Sequence, residues 1–369
     1  MNLLNNKDTS IDRAINEFRS GRPIIISIAK SFWIFFTLEN LNKDLLIKMK
    51  NNKSGELFSF ITNKKAINLS LKSIKHKQSV YFPIKINNIE RLRFIHTNYL
   101  KKSDKIKFKK IKLNKSPKFI NDVLDLAKNA KKIPCIIGFR LNKELDKNLF
   151  LTFDHKKISN QSKLIANSTK FISQSYLPIL KDYKAKIMVF ESFIGGLEHV
   201  VLKIGLRKNK SPINLRIQST CLTGEVFHSM KCDCNEQLHQ SIDYLKNNGG
   251  GYIIHLEQEG RGIGLANKIK AYDLQNKGLD TYNADINMGF LGDERDFGIA
   301  INILKFLKIK NVNLITNNKD KINILKRNNI KINKVIPTNP SLNSFNIQYL
   351  ASRSKKMNYN IKNKYTKGS

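Results

Sequence analysis

The chain has 369 residues and a formal net charge of +37 at pH 7, from 66 basic and 29 acidic side chains. Its hydrophobic content of 41% excludes a fully disordered chain. The longest apolar stretch, residues 23–38, is too short to cross a membrane and is interrupted by Lys30, so we expect no membrane partner. The basic residues are spread over both halves. We therefore expect a surface that attracts anionic ligands, and we do not expect nucleic acid as the main partner.

The N-terminal half begins with acidic residues and no long apolar core, which differs from a secretory signal and predicts a cytoplasmic protein. Residues 10–20 are predicted to be a helix, because apolar side chains recur on one helical face. Strands are predicted over 23–29 and 31–38. A further helix over 119–131 and a strand over 133–140 follow.

The C-terminal half alternates strands and helices. Its first three strands are expected to be antiparallel, and the later helices and strands alternate. The predicted elements are strands 185–192, 198–206 and 213–218, helix 235–247, strand 252–258, helix 262–277, a helix starting near Asp293, strand 311–316, helix 319–328 and strand 330–336. This pattern predicts a mixed α/β (α+β) fold.

Two domains are expected from the length of the chain and from a weakening of the pattern around residues 156–182. We place the boundary after residue 178, which gives domains 1–178 and 179–358. Residues 359–369 are predicted to be a disordered tail.

Three of the four cysteines, Cys221, Cys232 and Cys234, lie within fourteen residues. Clustered thiols in a cytoplasmic chain are typical of a metal site. Two alternatives stay open. His228 or His239 would complete a closed structural zinc site, whereas three ligands alone would leave a position for a reactive water. The Cys-x-Cys pair fits the start of a helix, where the dipole favours thiolates.

The sequence around these cysteines resembles GTP cyclohydrolase II. The motifs that carry the resemblance, in order, are RIQSTCLTGEVFHSMKCDCNEQL, LEQEGRGIGLANKIKAYDLQNKGLDT, GDERDFGIA, LITNN and QYLASRSKKM. They extend over about residues 180–358, and several motifs in register are far more specific than one. The resemblance implies a C-terminal GTP cyclohydrolase II-like fold, one Zn²⁺ per subunit, Mg²⁺ with the triphosphate, and a homodimer.

The implied reaction hydrolyses GTP to 2,5-diamino-6-(5-phospho-D-ribosylamino)pyrimidin-4(3H)-one, formate and pyrophosphate, the first step of riboflavin biosynthesis. The three cysteines would hold the zinc. By resemblance, Tyr272 is an active-site tyrosine, Asp293 a proton acceptor and Arg295 the nucleophile toward phosphorus. Because arginine is normally protonated, electrostatic stabilisation by Arg295 is at least as plausible. The implied GTP-binding residues are Arg216, Ser219, Gln237, Glu259, Gly260, Arg261, Thr281, Thr316 and Lys321.

Two positions depart from the family pattern, which commonly has His and Glu where this chain has Gln218 and Thr220. These departures keep open the alternative of a catalytically impaired GTP-binding regulator. The basic charge keeps open a second alternative, a basic RNA-binding protein with a structural zinc, which would need a fourth zinc ligand and aromatic residues among basic ones.

The first half resembles 3,4-dihydroxy-2-butanone-4-phosphate synthase in the segments IDRAINEFRSGRPIII, LFSFITNKKAINLSL and DVLDLAKNAKKIPCIIGF. That family follows its first strand with an acidic run that holds magnesium. Here the strand continues as SIAKSFWIFFTLENL. We expect a degenerate relative without that activity, which supports packing or dimer formation.

Overall fold

The computed structural model describes residues 6–51, 55–69, 79–101, 105, 111–142, 145, 149–179, 183–205, 212–339 and 341–356. The predicted tail, residues 359–369, lies outside this part. The chain divides into two compact units. The first contains residues 1–161, 266–279 and 283–294, and the second contains residues 162–265, 280–282 and 295–369. The predicted domain boundaries stay a prediction.

The first unit is built on a seven-stranded sheet with the order β5-β4-β3-β6-β2-β1-β7. Its strands are β1 (Ile24–Ile28), β2 (Ser31–Thr37), β3 (Phe58–Ile61), β4 (Val80–Pro83), β5 (Asn114–Lys115), β6 (Cys135–Leu141) and β7 (Thr152–Asp154). Neighbouring strands are antiparallel except for the parallel pair β1–β7.

Within the described ranges, the N-terminal part of this unit contributes the helices α1 (Asn6–Arg19), α2 (Lys43–Asn51), α3 (Asn63–Asn68), α4 (Ile89–Thr97) and α5 (Phe119–Asn129). The apolar face predicted for α1 is buried, with Ile11, Ala14, Ile15 and Phe18 at most 1% exposed. Helix α5 packs against α1 and buries its own apolar face in the same way. Both helices confirm the periodicity of the sequence.

The second unit contains a second seven-stranded sheet, with the order β14-β13-β11-β12-β10-β9-β8. Its strands are β8 (Thr169–Ile179), β9 (Tyr183–Ser192), β10 (Leu197–Ile204), β11 (Ile213–Ser219), β12 (Gly251–Leu256), β13 (Asn311–Ile315) and β14 (Lys331–Ile336). Strands β12, β11, β13 and β14 are parallel to one another, whereas β8, β9, β10 and β12 pair antiparallel.

The remaining helices follow from residue 161 onward. They are α6 (Gln161–Asn167), α7 (Leu222–Glu225), α8 (Cys234–Asn247), α9 (Leu265–Asn276), α10 (Thr281–Met288), α11 (Gly298–Phe306), α12 (Lys319–Arg327) and α13 (Ile347–Lys356). Most of α9 and α10 belongs to the first unit. No helix in the described ranges is long and apolar enough to cross a membrane. The predicted mixed α/β class is confirmed.

The first three strands of the second half alternate in direction as predicted, since β9 and β12 are antiparallel to β10 and β11 is parallel to β12. Strand β11 does not pair with β10, however. It lies between β12 and β13 and is parallel to both, because helical crossovers separate these strands in the chain. The helix expected from Asp293 begins only at Gly298. The Asp296 carboxylate accepts a hydrogen bond from the Gly298 N–H at 2.7 Å, and Gly292 has a φ of +95° before it, so residues 291–297 form a loop.

Candidate active site

The candidate site lies at the carboxyl ends of the adjacent parallel strands β12, β11 and β13. Cys221 follows β11 by two residues, the turn Glu259–Gly262 follows β12, and Thr316 directly follows β13. Ligands of open α/β sheets bind at this edge, because the loops that leave parallel strands meet there. The sheet therefore brings together motifs that are distant in sequence.

Three sulfur atoms form the centre of the site. The Sγ atoms of Cys221, Cys232 and Cys234 lie within 4.8 Å of one another. Cys221 immediately precedes α7. Cys234 is the first residue of α8, so the Cys-x-Cys pair of Cys232 and Cys234 lies at the start of a helix, as its spacing predicted. Helix N-termini favour anionic sulfur through their dipoles and free N–H groups.

The sulfur geometry fits a zinc ion. Tetrahedral coordination with Zn–S bonds of about 2.3 Å places sulfur atoms about 3.8 Å apart, and the Sγ atoms of Cys221 and Cys232 are 3.6 Å apart. Gly224 leaves room beside them, because a Cβ there would lie 2.9 Å from Cys232 Sγ and 3.1 Å from Cys221 Sγ. In the described part of the chain no fourth His, Cys, Asp or Glu joins this group. His228 and His239 are both exposed.

The thiols resist ionisation without a cation. Hydrogen bonding to Cys221, together with burial, raises the pKa of Cys232 to about 12. The pKa of Cys234 is also raised well above its ordinary value, first by its hydrogen bond with Cys221 and then by Cys232 and burial. Bringing several thiolates together costs free energy unless a positive charge compensates them. A divalent metal supplies that charge.

A hydrogen-bond network supports the cysteines from the sheet side. The Glu225 carboxylate accepts from the Cys221 N–H at 3.3 Å and lies 2.9 Å from His255 Nε2. Gln218 Nε2 donates to Glu225 Oε1 at 3.0 Å, and Gln218 Oε1 accepts from Arg216 at 2.7 and 3.0 Å. Gln218 therefore links the sheet to the turn that carries Cys221, although it departs from the family pattern.

Arg216 and Gln237, both predicted to bind GTP, are partners in this network. The Arg216 guanidinium is 3% exposed and donates to Gln237 Oε1 and to the Ile315 carbonyl. Gln237 Nε2 donates to Asp233, which lies between two of the cysteines. A role in holding the site together therefore accompanies their predicted role in binding.

Asp233 is a charged group that the sequence analysis missed. It is 2% exposed and forms an ion pair with Arg353 on α13, with 2.6 Å between Nη1 and Oδ1. Arg353 also lies over the Tyr349 ring, at 5.1 Å from its centroid. Nothing in the local sequence pairs these residues, which are 120 positions apart. The available signal was an acidic residue between two of the clustered cysteines, because a carboxylate that becomes buried there requires a positively charged partner.

Two buried polar atoms at this edge of the sheet lack a hydrogen-bond partner within the described residues. One is Ser219 Oγ, in a predicted GTP-binding residue, and the other is Gln258 Oε1. Gln258 was not singled out from the sequence. Its Nε2 donates to the Asp296 carbonyl at 2.5 Å. Leaving such atoms unsatisfied costs about 1–3 kcal/mol each, so they are suited to receive ligand hydrogen bonds.

The predicted Glu-Gly-Arg turn has a strained backbone. Gly260 and Arg261 both have φ near +60°, a region that non-glycine residues seldom occupy. The Glu259 carboxylate accepts from the N–H groups of Leu222 and Gly260, each at 2.6 Å. It thus ties this turn to the first residue of α7, next to Cys221.

Arg295 and Lys321 share an aromatic neighbour in the second unit. The Arg295 guanidinium carbon lies 5.3 Å and Lys321 Nζ 5.4 Å from the centroid of the Phe297 ring. Lys321 Nζ also donates to the Ile217 carbonyl at 2.5 Å, and Thr316 Oγ1 accepts from the Asn318 N–H at 3.0 Å. The structure therefore brings two predicted phosphate-binding cations to one ring.

The other predicted residues are distributed over both units. Thr281 is buried at the first position of α10 and belongs to the second unit. Tyr272 and Asp293 belong to the first unit. Tyr272 is half-buried, with Lys268 Nζ 5.8 Å from its ring centroid.

Comparison with known proteins finds relatives of the C-terminal half of the chain. The model of the GTP cyclohydrolase II family matches residues 172–337. A riboflavin biosynthesis protein RibBA from Endomicrobium trichonymphae is 42% identical over 177 residues, which cover 48% of this chain and 44% of that protein. This chain thus matches less than half the length of that relative.

Shorter relatives are covered more fully. The GTP cyclohydrolase-2 of Histophilus somni strain 2336 is 44% identical over 176 residues, covering 48% of this chain and 82% of the relative. The GTP cyclohydrolase-2 of Haemophilus influenzae strain PittEE is 41% identical over 177 residues, which cover 48% of this chain and 82% of that relative.

A crystal structure of RibBX, a two-domain 3,4-dihydroxy-2-butanone 4-phosphate synthase from A. baumannii, aligns with 89% of this chain and 99% of its own. The TM-score is 0.32 and the identity 9%, values too low to indicate a shared fold. The sequence matches are the decisive ones. With 44% identity over 82% of a GTP cyclohydrolase-2, and the cysteine site intact, the chain belongs to the GTP cyclohydrolase II family of enzymes.

Proposed function

We propose that this chain is a zinc-dependent GTP cyclohydrolase II. It would convert GTP to 2,5-diamino-6-(5-phospho-D-ribosylamino)pyrimidin-4(3H)-one, formate and pyrophosphate, the first step of riboflavin biosynthesis. The observation that carries the proposal is the group of three sulfur atoms within 4.8 Å in a family member. We also propose a cytoplasmic homodimer, with magnesium entering as the counter-ion of the triphosphate.

Cys221, Cys232 and Cys234 would hold the zinc. A zinc ion with three protein ligands lowers the pKa of a bound water toward neutrality, which is the chemistry that ring opening at C8 requires. The network through Glu225, Gln218 and Arg216 keeps the cysteine turn in place. Tyr272 would orient the attacked ring or a water through its phenol.

Arg295 and Lys321 would act on the triphosphate. Both are cations beside Phe297, and an aromatic ring nearby limits the water around their charges. Arg295 would stabilise the charge that develops on the transferring phosphoryl group, since an arginine is a poor nucleophile. Asp293 would accept a proton during the same step.

Ser219, Glu259, Gly260, Arg261, Thr281 and Thr316, together with Arg216 and Gln237, would bind GTP. The unpartnered Ser219 Oγ supports this for one of them, because a ligand hydrogen bond would relieve its desolvation. Gln218 and Thr220, the two departures from the family pattern, also form defined hydrogen bonds. Thr220 Oγ1 lies 2.9 Å from the Leu256 carbonyl oxygen and 3.0 Å from Glu257 Oε2, so its one proton is shared between these two acceptors. These bonds favour an intact site over a damaged one.

The experiment is a formate and pyrophosphate assay on the purified chain with GTP, zinc and magnesium. We expect both products from the wild type and neither from Cys232→Ser, which removes one sulfur. Cys135→Ser is the matched control, because Cys135 is buried in β6, outside the cysteine group. Tight GTP binding without formate would identify a regulator, and indifference to GTP with salt-sensitive RNA binding would identify an RNA-binding protein.

The N-terminal half is proposed to lack dihydroxybutanone phosphate synthase activity, because the acidic run of that family is missing from its first strands. The full chain is expected to leave ribulose 5-phosphate unchanged in the presence of magnesium. Formation of dihydroxybutanone phosphate would contradict this proposal without affecting the one for GTP.

A further inference from the structure

The first compact unit joins the N-terminal half to residues 283–294, the segment that ends with Asp293 and Glu294. This segment contains most of α10 and the first part of the loop after it. The last carbonyls of a helix have no partners within the helix and must find them elsewhere. At the end of α10, side chains of the N-terminal half provide these partners.

Three successive residues are held in this way. Lys65 Nζ donates to the Asn287 carbonyl, and Thr62 Oγ1 donates to the Gly289 carbonyl at 2.6 Å. His96 forms a hydrogen bond with the backbone of Met288, between them. All three side chains are buried.

The end of α10 is also linked to the C-terminal end of α4. Lys65 Nζ donates to the Ile95 carbonyl at 2.8 Å, so the same ammonium group joins α4 to α10. Asn287 Nδ2 donates to the Asn98 carbonyl at 3.0 Å. Lys65 is fully buried, and a buried lysine is retained in a fold only where its donors are satisfied. The bonds to both carbonyls therefore fix the position of the helix end.

A second attachment lies at the other end of the segment. Lys128 Nζ, on α5, forms an ion pair with Glu294 Oε2 at 3.3 Å. Glu294 Oε1 accepts from the Leu291 N–H at 2.8 Å, which closes the loop on itself. Both side chains are largely buried, at 15% and 11% exposed. Asp293 lies between the two attachments, next to Glu294.

We propose that the N-terminal half acts as a positioning element for the catalytic loop, with Thr62, Lys65, His96 and Lys128 as positioning residues for Asp293. The inference rests on the proposed function, because it presupposes that Asp293 takes part in the reaction. It gives the degenerate half a function that needs no chemistry of its own. Misplacing a reacting group by about 1 Å can lower a rate about 100-fold, so small displacements of this loop matter.

The test uses the full chain and the variant Lys128→Met, which removes the ion pair with Glu294, and with it the 3.2 Å pair of Lys128 with Asp125, while retaining the side-chain stem. We expect kcat for GTP to fall about ten-fold, by displacement of the loop. The Michaelis constant for GTP and the zinc content per chain are expected to stay unchanged, because the cysteines lie in the other unit. Hydrogen exchange should accelerate in a peptide covering residues 287–297 and not in one covering 232–240.

Lys43→Met is the matched control. It removes the same charge from an exposed ion pair of the same unit, in which Lys43 Nζ lies 2.9 Å from Glu90 and no residue of the segment 283–294 takes part. Its kcat is expected to equal that of the wild type. Thr62→Val is a second positioning variant, which removes the hydroxyl donor to Gly289 with little change of volume. We expect it to lower kcat and leave zinc bound.

Full kcat in Lys128→Met, or a loss of activity that parallels a loss of zinc, would overturn the positioning role. The proposed function is judged separately, on formate release by the wild type and its loss in Cys232→Ser. A wild type that releases formate together with a fully active Lys128→Met therefore rejects this inference alone.

Discussion

Gly224 shows how closely a single residue determines the geometry of the three-cysteine cluster. It lies in α7, and a Cβ at this position would approach two of the three sulfur atoms to about 3 Å. Its backbone does not have a positive φ in the structure, so the backbone conformation would tolerate alanine and only the side chains of the three cysteines would oppose it. The need for glycine here arises from the sulfur positions.

Gly224→Ala is therefore predicted to weaken zinc binding about ten-fold or more, comparable to the loss of a group that orients metal ligands. The measurement is a zinc competition titration with a chromogenic chelator. Gly55→Ala serves as control, since a Cβ there would meet only the Arg140 carbonyl at 3.7 Å. Equal zinc affinity in the two variants would show that the sulfur atoms can move aside at little cost.

His199 is a buried histidine in β10 that is held neutral. Its Nε2 lies 3.0 Å from Ser192 Oγ, and its Nδ1 accepts from the Glu257 N–H at 3.1 Å. This pattern requires the proton on Nε2, because Nδ1 must be free to accept. Burial, and then the neighbouring His255, lower the pKa of His199 to about 4.

This pKa predicts a stability change between pH 6.5 and pH 4. Above pH 6.5 the His199 imidazole is neutral in both the folded and the unfolded chain, and its contribution to the free energy of unfolding is fully present. Below it, the unfolded chain binds a proton that the folded chain excludes, so stability falls as the pH falls, by about 3 kcal/mol in total. Urea unfolding at pH 7 and pH 4.5 should show a smaller decrease for His199→Gln than for the wild type. Equal decreases would mean that His199 is already protonated when folded.

At the scale of elements, α13 is coupled to the turn that carries Cys232 and Cys234. Its Arg353 neutralises Asp233, and its Lys356 forms a second ion pair with Asp280 at 2.7 Å. The first pair is buried, whereas in the second the side chains are 39% and 29% exposed. Buried pairs are costly to break, because one charge is left without compensation. Exposed pairs contribute little.

Arg353→Met is predicted to destabilise the second unit by about 3 kcal/mol and to weaken zinc binding about ten-fold. Lys356→Met, on the same helix, is predicted to change both by less than about 1 kcal/mol. Thermal unfolding and the zinc titration compare the two variants. If Arg353→Met retains wild-type zinc affinity, α13 stabilises the unit without supporting the cysteines.

Predictability differed among elements for a physical reason. Helices α1 and α5 bury one face completely, and their boundaries were predicted to within a few residues. Strand β8 was missed, because most of its side chains are exposed and no alternation of apolar and polar residues marks it. The start of α11 was misplaced because charged residues before it resemble a helical first turn, whereas they lie in a loop closed by Asp296.

At the scale of the whole molecule, the charge of +37 is large for an enzyme of this length. A positive potential raises the local concentration of an anionic substrate and speeds its arrival, and salt screens that effect. Once the substrate is bound, the rate of the reaction depends on charged groups within a few ångströms, and salt screens their interactions much less.

We predict that kcat/KM for GTP falls several-fold between about 20 and 200 mM NaCl, while kcat changes by less than about two-fold. Initial rates at several salt concentrations separate the two constants. A parallel decrease of kcat would indicate that salt disturbs the site itself rather than the approach of the substrate.

The sequence by itself determined the family, the mixed α/β class and the three cysteines, because these depend on local spacing and on motifs in register. Cys234 at the start of α8 follows from the same local rules. The roles of Tyr272 and Asp293 stay predictions from the resemblance.

Only the tertiary structure decided which distant residues become partners. No local pattern connects the residues that pair in three places. They are the ion pair of Asp233 with Arg353, the hydrogen bond of Lys65 to the end of α10, and the parallel pairing of β11 with β12. Their physical cause is burial. A charge or carbonyl removed from water must find a partner, and which partner it finds depends on how the chain folds back.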